Sequence, residues 1–423
     1  MKIYKRTSNI KEYFSNMEYK KSYYNISVSN DGVSFIYNTA SGAIIKINTK
    51  RYLNNDYTEE ELEELVKNGF YVLKHEDEFE NYLSKINFAS EKNPDFFTII
   101  PTTACNAKCF YCYEKGYVSK TVDKKSHKKI VDYIIQNIIN KDKFTLDWYG
   151  GEPLLCKDEI DEIISDIEKI IDLNRYEWSS SITTNATLFD ENLIDHAVKS
   201  WNLKIAYITL DGPEEEHNKR KSVSRPVKNA FRKTYEAIIC LLNKGVFVNL
   251  RIHIDMNNID MLEELFNQIK IFWSYDNFQV FPTFLFPPEK QMDASYIKDE
   301  DKEYVFYRVF SMMKSEKLIS EYKNIFPVPK IKNCYATDKN KVVISPQGVV
   351  HSCVQDFTNK ESTGEKQYLD YKRECLKCSK CKYFPICLGG CIYNQRLNNT
   401  VRTACVRNRY IIRPLLKLLL EEN

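Results

Sequence analysis

The sequence lacks the charge imbalance that is typical of proteins that bind nucleic acid or a membrane surface. Its 61 basic and 58 acidic side chains leave a formal net charge of +3 over 423 residues, so there is no basic field. It also lacks an apolar run long enough to span a bilayer, and its first residues lead into polar sequence rather than a signal peptide. We therefore expect a cytoplasmic protein that has neither a nucleic acid nor a membrane as its partner.

Cysteine, by contrast, is plentiful. The 13 cysteines are an odd number, so they cannot all pair, and in a cytoplasmic chain they indicate metal ligation rather than disulfides. All but two of them fall into two clusters along the chain. We expect the two outliers, Cys156 and Cys240, to be buried small apolar residues.

The first region, residues 1–93, predicts a small α+β domain in which strands precede helices. Alternating runs begin at Asn25 and Val33 and are separated by a turn. Thr58 with Glu61 three residues later is typical of a helix capping box. This region predicts either a binding module or a structural cap on the next domain.

The second region, residues 94–328, alternates strands with amphipathic helices. The strands are predicted at Phe96–Ile100, Phe144–Trp148, Ser179–Thr184, Lys204–Leu210, Phe247–Ile254 and Phe278–Phe284. Six βα repeats predict a parallel sheet with right-handed crossovers, and six are too few for an eight-stranded barrel. We therefore predict an α/β fold built on an open, partial (β/α)6 TIM-like barrel, with its chemistry at the carboxyl ends of the strands.

The third region, residues 329–423, is rich in cysteine and ends in a predicted helix over Ile411–Leu420. Its cysteines are Cys334, Cys353, Cys375, Cys378, Cys381, Cys387, Cys391 and Cys405. The C-x2-C spacing of Cys378 and Cys381 alone also fits zinc.

Three more cysteines, Cys105, Cys109 and Cys112, follow the first barrel strand. Three thiolates this close cannot pair off as disulfides, but they can hold three irons of a cubane cluster and leave the fourth open. A zinc site would need a fourth ligand nearby, and none is evident in the sequence.

Polar turns follow the next three strands. Two glycines allow a close backbone approach to a ligand, and the carboxylate beside them can pair with an ammonium group. The residues concerned are Gly150, Gly151, Glu152 and Pro153, then Thr184 and Asn185, then Asp211, which leads to His217 and Arg220. Without further context, these are strand-end turns with polar caps.

Together these motifs resemble the radical SAM superfamily, in its peptide-modifying branch with a C-terminal SPASM domain. The C-x3-C-x2-C loop with Tyr111 before its third cysteine, the Gly-Gly-Glu-Pro turn and the seven-cysteine C-terminal pattern carry the resemblance. It implies S-adenosyl-L-methionine (SAM) on the open iron and three [4Fe–4S] clusters, one in the barrel and two auxiliary. Residues 1–93 are similar to the winged-helix elements that bind peptides in such enzymes.

The resemblance also implies roles for single residues. Tyr111 lies beside the adenine of SAM, Glu152 binds its amino group, and Thr184 and Asn185 lie beside ribose or carboxylate. Asp211 shapes the pocket, and Arg220 pairs with the carboxylate of SAM, for which Arg251 is a second candidate. The outer auxiliary cluster is implied at Cys378, Cys381, Cys387 and Cys405, and the inner one at Cys334, Cys353 and Cys391. Cys375 either closes the inner cluster or leaves it with an open iron that can take a substrate thiolate.

The implied function is that of a radical SAM oxidoreductase that matures a ribosomally made precursor peptide, through a thioether or another crosslink, with flavodoxin or ferredoxin as reductant. One alternative is an anaerobic sulfatase maturase, which forms formylglycine. Those enzymes usually begin near the cluster loop and tend to carry an aspartate where this chain has Val354. Another is a non-catalytic iron–sulfur or zinc protein, for which the SAM-binding turns would serve no purpose.

Overall fold

The computed structural model describes residues 18–86, 94–115, 118–224, 227–285, 296–319, 324–332, 334–338, 340–355, 376, 378–391, 393 and 405–422. Cys375 lies outside these residues. No helix in these ranges combines the length and apolar character needed to cross a bilayer.

The N-terminal region contains two small antiparallel sheets and three helices. The elements are β1 (Tyr19–Lys21), β2 (Asn25–Asn30), β3 (Val33–Asn38), β4 (Ile44–Asn48), α1 (Thr49–Asn54), α2 (Glu59–Lys67), β5 (Tyr71–Leu73) and α3 (Glu78–Lys85). Strand β1 pairs with β5, while β2, β3 and β4 form the second sheet. The predicted capping box is present, because Thr58 Oγ1 accepts from Glu61 N and the Glu61 carboxylate accepts from Thr58 N. The region mixes strands and helices, but β5 lies between α2 and α3 and pairs with β1, so the expected order of strands before helices holds only as far as α2. Peptide recognition by this region stays a prediction.

Six parallel strands form the centre of the molecule, at the places where the sequence predicts them. They are β6 (Phe96–Thr102), β7 (Lys143–Gly150), β8 (Glu177–Thr184), β9 (Leu203–Thr209), β10 (Phe247–Ile254) and β11 (Phe278–Phe284). The helices among them are α4 (Lys124–Ile138), α5 (Lys157–Ile170), α6 (Glu191–Ser200), α7 (Glu214–Lys221), α8 (Ala230–Asn243) and α9 (Leu262–Ile269). Along β10, buried Val248, Leu250 and Ile252 alternate with half-buried Arg251 and His253, so one face packs on helices and the other carries polar groups.

The C-terminal region extends this sheet, which the sequence did not predict. Its elements are β12 (Lys341–Ile344), β13 (Val350–His351), α11 (Phe384–Cys387) and α12 (Asn408–Glu421), preceded by α10 (Lys302–Ser315). Strand β12 pairs in parallel with β6, and β13 pairs antiparallel with β12, which gives eight strands with β11 at one edge. The sheet is thus mostly parallel and is shared by the second and third regions.

The N-terminal region packs against the cysteine-rich C-terminal region. The Tyr23 hydroxyl donates to the Lys380 carbonyl at 2.8 Å, and the Tyr82 hydroxyl donates to the Pro385 carbonyl at 3.2 Å. Tyr24 and Tyr82 share a buried apolar cluster with Phe384, onto which Cys378 and Cys381 also pack. These contacts join the N-terminal region to the C-x2-C turn.

Candidate active site

The loop of Cys105, Cys109 and Cys112 directly follows β6 and is held by the ends of other elements. Lys108 N donates to the Lys221 carbonyl at 2.9 Å, and the Asn106 side chain bonds to Thr187 and Asn185. Burial raises the pKa of the Cys105 thiol to about 12 and that of Cys112 to about 11, and the neighbouring thiols add to both shifts. The thiols of Cys105 and Cys112 therefore need cations beside them in order to ionise.

The Gly150-Gly151 turn at the end of β7 lies against the backbone that leads into this loop. A Cβ atom on Gly151 would lie 2.2 Å from the Ala104 carbonyl oxygen, and Gly150 has a φ of 121°. Glu152 N donates to the same Ala104 carbonyl at 2.9 Å. The turn thus fixes where the cysteine loop starts, and only glycine fits at position 151.

Pro153 starts a short 3₁₀ helix, and Glu152 before it is fully buried at this turn. The Glu152 carboxylate accepts from Thr184 Oγ1 at 2.7 Å, from Asn185 N at 2.8 Å and from Leu154 N at 3.1 Å. Burial raises the pKa of Glu152 to about 6, and these hydrogen bonds oppose that shift. The structure therefore brings together Glu152 with Thr184 and Asn185, which the sequence placed at the ends of two different strands.

Asp211 is fully buried at the end of β9, among three groups that neutralise or bond to it. Lys221 Nζ lies 3.3 Å from its carboxylate, His253 Nδ1 lies 3.0 Å away, and the Tyr111 hydroxyl donates to it. Although burial opposes the shift, Lys221 and His253 hold the pKa of Asp211 well below its usual range. The Tyr111 ring also lies 4.9 Å from the His253 ring, so the aromatic residue of the cluster loop is fixed against β10.

Arg220, the predicted partner of a carboxylate, is already paired inside the protein. Its Nη2 donates to both Asp255 oxygens at 2.7 and 2.8 Å, and its Nε donates to Glu216 at 2.7 Å. Only Nη1 is left, buried and without a hydrogen-bond partner. Pairing of Arg220 with SAM stays a prediction that rests on this one nitrogen.

Sequence reasoning missed Lys221 and Glu114. Lys221 follows His217 by four residues on α7, a spacing that puts both on one helix face and could have revealed it. Glu114 comes two residues after Cys112; it is buried, and neither of its oxygens has a well-formed hydrogen bond. Burial raises the pKa of Glu114 to about 7, with a smaller opposing effect of the Tyr113 hydroxyl.

Tyr113 connects this loop to the C-terminal region. Its hydroxyl lies 3.2 Å from that of Tyr149 and donates to the Val354 carbonyl at 3.4 Å. Because Cys112 and Cys353 are the chain neighbours of Tyr113 and Val354, the first cysteine loop and a C-terminal cysteine lie on either side of this contact.

The C-terminal cysteines fall into two neighbourhoods. Burial raises the pKa of Cys387 to about 12, and Cys405, Cys378 and Cys381 are close enough to raise it further. Burial likewise raises the pKa of Cys334, to which Cys391 adds. Arg409 Nη1 donates to Cys405 Sγ at 3.3 Å. The predicted assignment of outer and inner cluster ligands is compatible with these neighbours and stays a prediction.

Comparison with known proteins identifies the domain. Residues 99–269 match the model of the radical SAM superfamily, so the chain contains a radical SAM domain, and its cysteine-rich C-terminus fits a SPASM domain. The chain is 23% identical over 326 residues to a cysteine-type anaerobic sulfatase-maturating enzyme of Clostridium perfringens strain 13, which covers 69% of this chain and 86% of that enzyme.

Two solved structures share the fold. Native anSMEcpe with bound AdoMet superposes with a TM-score of 0.59 at 19% identity, covering 77% of this chain and 97% of that one. Streptococcus suis SuiB superposes with a TM-score of 0.50 at 14% identity, covering 90% of this chain and 97% of that one.

Radical SAM proteins bind SAM and a [4Fe–4S] cluster, and the residues of this site fit both groups. Three thiols in one loop are the ligands that such a cluster takes, and bound iron would supply the positive charge that ionisation of Cys105 and Cys112 requires. The glycine turn leaves room only for backbone beside the loop, and Arg220 Nη1 and His217 Nε2 are buried polar atoms without partners.

Proposed function

We propose that this chain is a radical SAM peptide maturase that oxidatively modifies a ribosomally made precursor peptide, through a thioether or another crosslink. The observation that carries the proposal is the second set of cysteines, packed beside the N-terminal region and linked to the first loop through Tyr113 and Val354. Such an oxidation removes two electrons more than a simple rearrangement does, so it needs an acceptor, and the C-terminal cysteines can hold one.

When bound, the cluster and SAM would supply hydrogen-abstracting radical chemistry, with a flavodoxin or ferredoxin as the source of the electron. In this proposal Glu152 orients SAM through its amino group, with Thr184 and Asn185 fixing the carboxylate of Glu152. Asp211 and Lys221 hold Tyr111 in place beside the loop. Glu152, Thr184, Asp211 and Lys221 are buried, so their positions do not depend on solvent.

For a thioether, the atoms and electrons balance as follows. A peptide carbon gives a hydrogen atom to the radical, a peptide thiol releases a proton, and a carbon–sulfur bond forms. The remaining electron leaves to an iron–sulfur acceptor. Tyr113, which contacts the Val354 carbonyl, and the adjacent buried Glu114 are candidates to contact the peptide.

The second candidate is sulfatase maturation, which the 326-residue match to a sulfatase-maturating enzyme favours. Val354 after Cys353 and the long region before β6 weigh against it. The two functions predict different substrates: a peptide encoded beside the gene, or the Cys-containing segment of a sulfatase. The test is mass spectrometry after anaerobic incubation with each substrate. Peptide crosslinking gives a loss of two hydrogens or a linked fragment, whereas sulfatase maturation gives an aldehyde.

The first prediction concerns the cysteine loop. A variant with Cys105, Cys109 and Cys112 all replaced by alanine should lose about four irons per chain and form no 5′-deoxyadenosine above background, because the open iron needs all three thiolates. Iron content and chromatography of anaerobic reactions with SAM and dithionite measure this. Replacing Cys156 and Cys240 by alanine is the control. If this control and the triple-cysteine variant form equal amounts of 5′-deoxyadenosine, the proposed radical function is wrong.

The second prediction concerns pH. The pKa of Glu152 is raised to about 6, so it is a carboxylate at neutral pH and becomes protonated as pH falls through that value. We expect SAM affinity to fall about tenfold by one pH unit below it, because the charge pair with the ammonium group is lost. Equilibrium dialysis with labelled SAM between pH 5 and 8 measures this, with iron content checked at each pH. Glu152→Gln should bind SAM weakly at every pH in this range. If the SAM affinity of the unaltered protein is equally independent of pH, Glu152 does not bind the amino group of SAM.

A further inference from the structure

Two arginines near the open edge of the sheet have no acidic partner. In the described ranges, no carboxylate forms an ion pair with Arg251 on β10 or with Arg407 at the start of α12, whereas Arg220 and Arg409 both have negative or sulfur partners. Arginine stays charged at any physiological pH, so both positions carry a full positive charge.

One aromatic residue, Phe281, contacts Arg407 and is the register neighbour of Arg251. Arg251 and Phe281 are register neighbours on the parallel strands β10 and β11, so their side chains leave the sheet on the same face. The Arg407 guanidinium lies 4.2 Å from the centre of the Phe281 ring and 5.8 Å from that of Phe306. Because β11 is an edge strand, this pair lies at the side where the partial barrel is open.

The face of the sheet from which Arg251 and Phe281 project is also the face that carries the active site. His253 follows Arg251 by two residues on β10 and therefore points to the same side. It contacts both Asp211 and the Tyr111 ring of the cysteine loop. A group bound between the arginines is thus two strand positions away from the residues that hold that loop.

A purely structural role accounts for only part of this arrangement. Stacking on Phe281 and Phe306 explains why Arg407 is tolerated there, since a cation over an aromatic face is attracted by the ring. It does not satisfy Arg407 Nε, which is buried and has no hydrogen-bond partner among the described residues. Within the same residues it also leaves the half-buried Arg251 without a counter-charge, and charges withdrawn from water are ordinarily paired.

We infer that Arg407 and Arg251 form an anion site that holds a carboxylate of the peptide substrate beside Phe281. The inference rests on the proposed function. The carboxylate belongs either to an Asp or Glu side chain near the modified residue or to the C-terminus of the peptide. A guanidinium pairs with a carboxylate through two parallel hydrogen bonds, which fixes direction as well as position.

The test uses the full-length, anaerobically reconstituted protein with SAM and a random dodecapeptide library, in one arm with free C-termini and in the other with amidated C-termini. The unaltered protein should enrich Asp or Glu over Asn or Gln, or free over amidated ends, by about tenfold. Arg407→Met and Arg251→Met should lose that preference, and Arg407→Lys should keep part of it. Arg413→Met removes an exposed cation nearly two turns further along α12 and should keep all of it.

Three outcomes would overturn the inference, and they differ in what else they remove. The anion site is wrong if the unaltered protein captures peptides without an acidic preference, or if Arg407→Met captures them with the same preference. Either result leaves the proposed function unaffected. Weaker binding of labelled SAM to Arg251→Met, with the peptide preference unchanged, would assign that arginine to SAM. If the unaltered protein captures no peptide, both this inference and peptide modification fail. Iron content and circular dichroism show whether each variant has folded.

Discussion

The Lys221→Met variant should be less stable than the unaltered protein by about 3–5 kcal/mol, because it leaves the Asp211 carboxylate buried without its nearest cation. The Lys221 side chain is 6% exposed, that of Asp211 is fully buried, and their charged atoms are 3.3 Å apart. Urea denaturation under anaerobic conditions measures the loss. The pKa of Asp211 is held well below its usual range, so the stabilisation is present above about pH 4 and is lost as pH falls further.

Two further variants make this result specific. Lys219→Met lies on the same helix, but its side chain is 82% exposed, and it should cost less than about 1 kcal/mol. Adding Asp211→Asn to Lys221→Met removes both charges and should restore part of the stability. Equal losses for Lys219→Met and Lys221→Met would show that the buried pair contributes nothing particular.

Gly151→Ala should reduce 5′-deoxyadenosine formation about 100-fold, the effect expected when reacting groups are displaced by about 1 Å. The added Cβ would meet the Ala104 carbonyl oxygen at 2.2 Å and its carbon at 2.6 Å. Both atoms are backbone, so no side chain can rotate away, and the strand end that carries Cys105 has to shift. Anaerobic assays with SAM measure the rate, and iron content shows whether the cluster is also lost.

The matched control for this change is Gly32→Ala in the β2–β3 hairpin. A Cβ there meets no atom within 4 Å, although the φ of 80° costs about 1–2 kcal/mol for any side chain. We expect normal 5′-deoxyadenosine formation from this variant. If Gly151→Ala behaves in the same way, the close backbone contact does not position the loop.

Local patterns predicted the parts of this fold that depend on neighbouring residues. The six strands of the barrel and the capping box at Thr58 follow from alternation and turn chemistry, and the structure has them. The strand ends also meet as expected, because parallel strands bring Glu152, Thr184 and Asn185 to one edge.

Long-range pairing could not be predicted in the same way. Nothing in the four residues of β12 indicates that they join β6 rather than form a separate sheet. A motif likewise names Arg220 without revealing that Asp255 and Glu216 already occupy most of its donors. Lys221 bonds to Tyr111 and pairs with Asp211, and both contacts link residues distant in the sequence.

The pairing of β12 with β6 has a consequence for how the protein is made. Strand β6 leads into the cysteine loop, and its outer edge is covered by a strand from near the other end of the chain. The loop therefore cannot acquire its final support until most of the polypeptide has left the ribosome. Contacts this distant in sequence form slowly, which exposes the cysteines for longer. Iron should accordingly enter after synthesis, and oxygen present during that interval should lower the yield of loaded protein more than oxygen met afterwards.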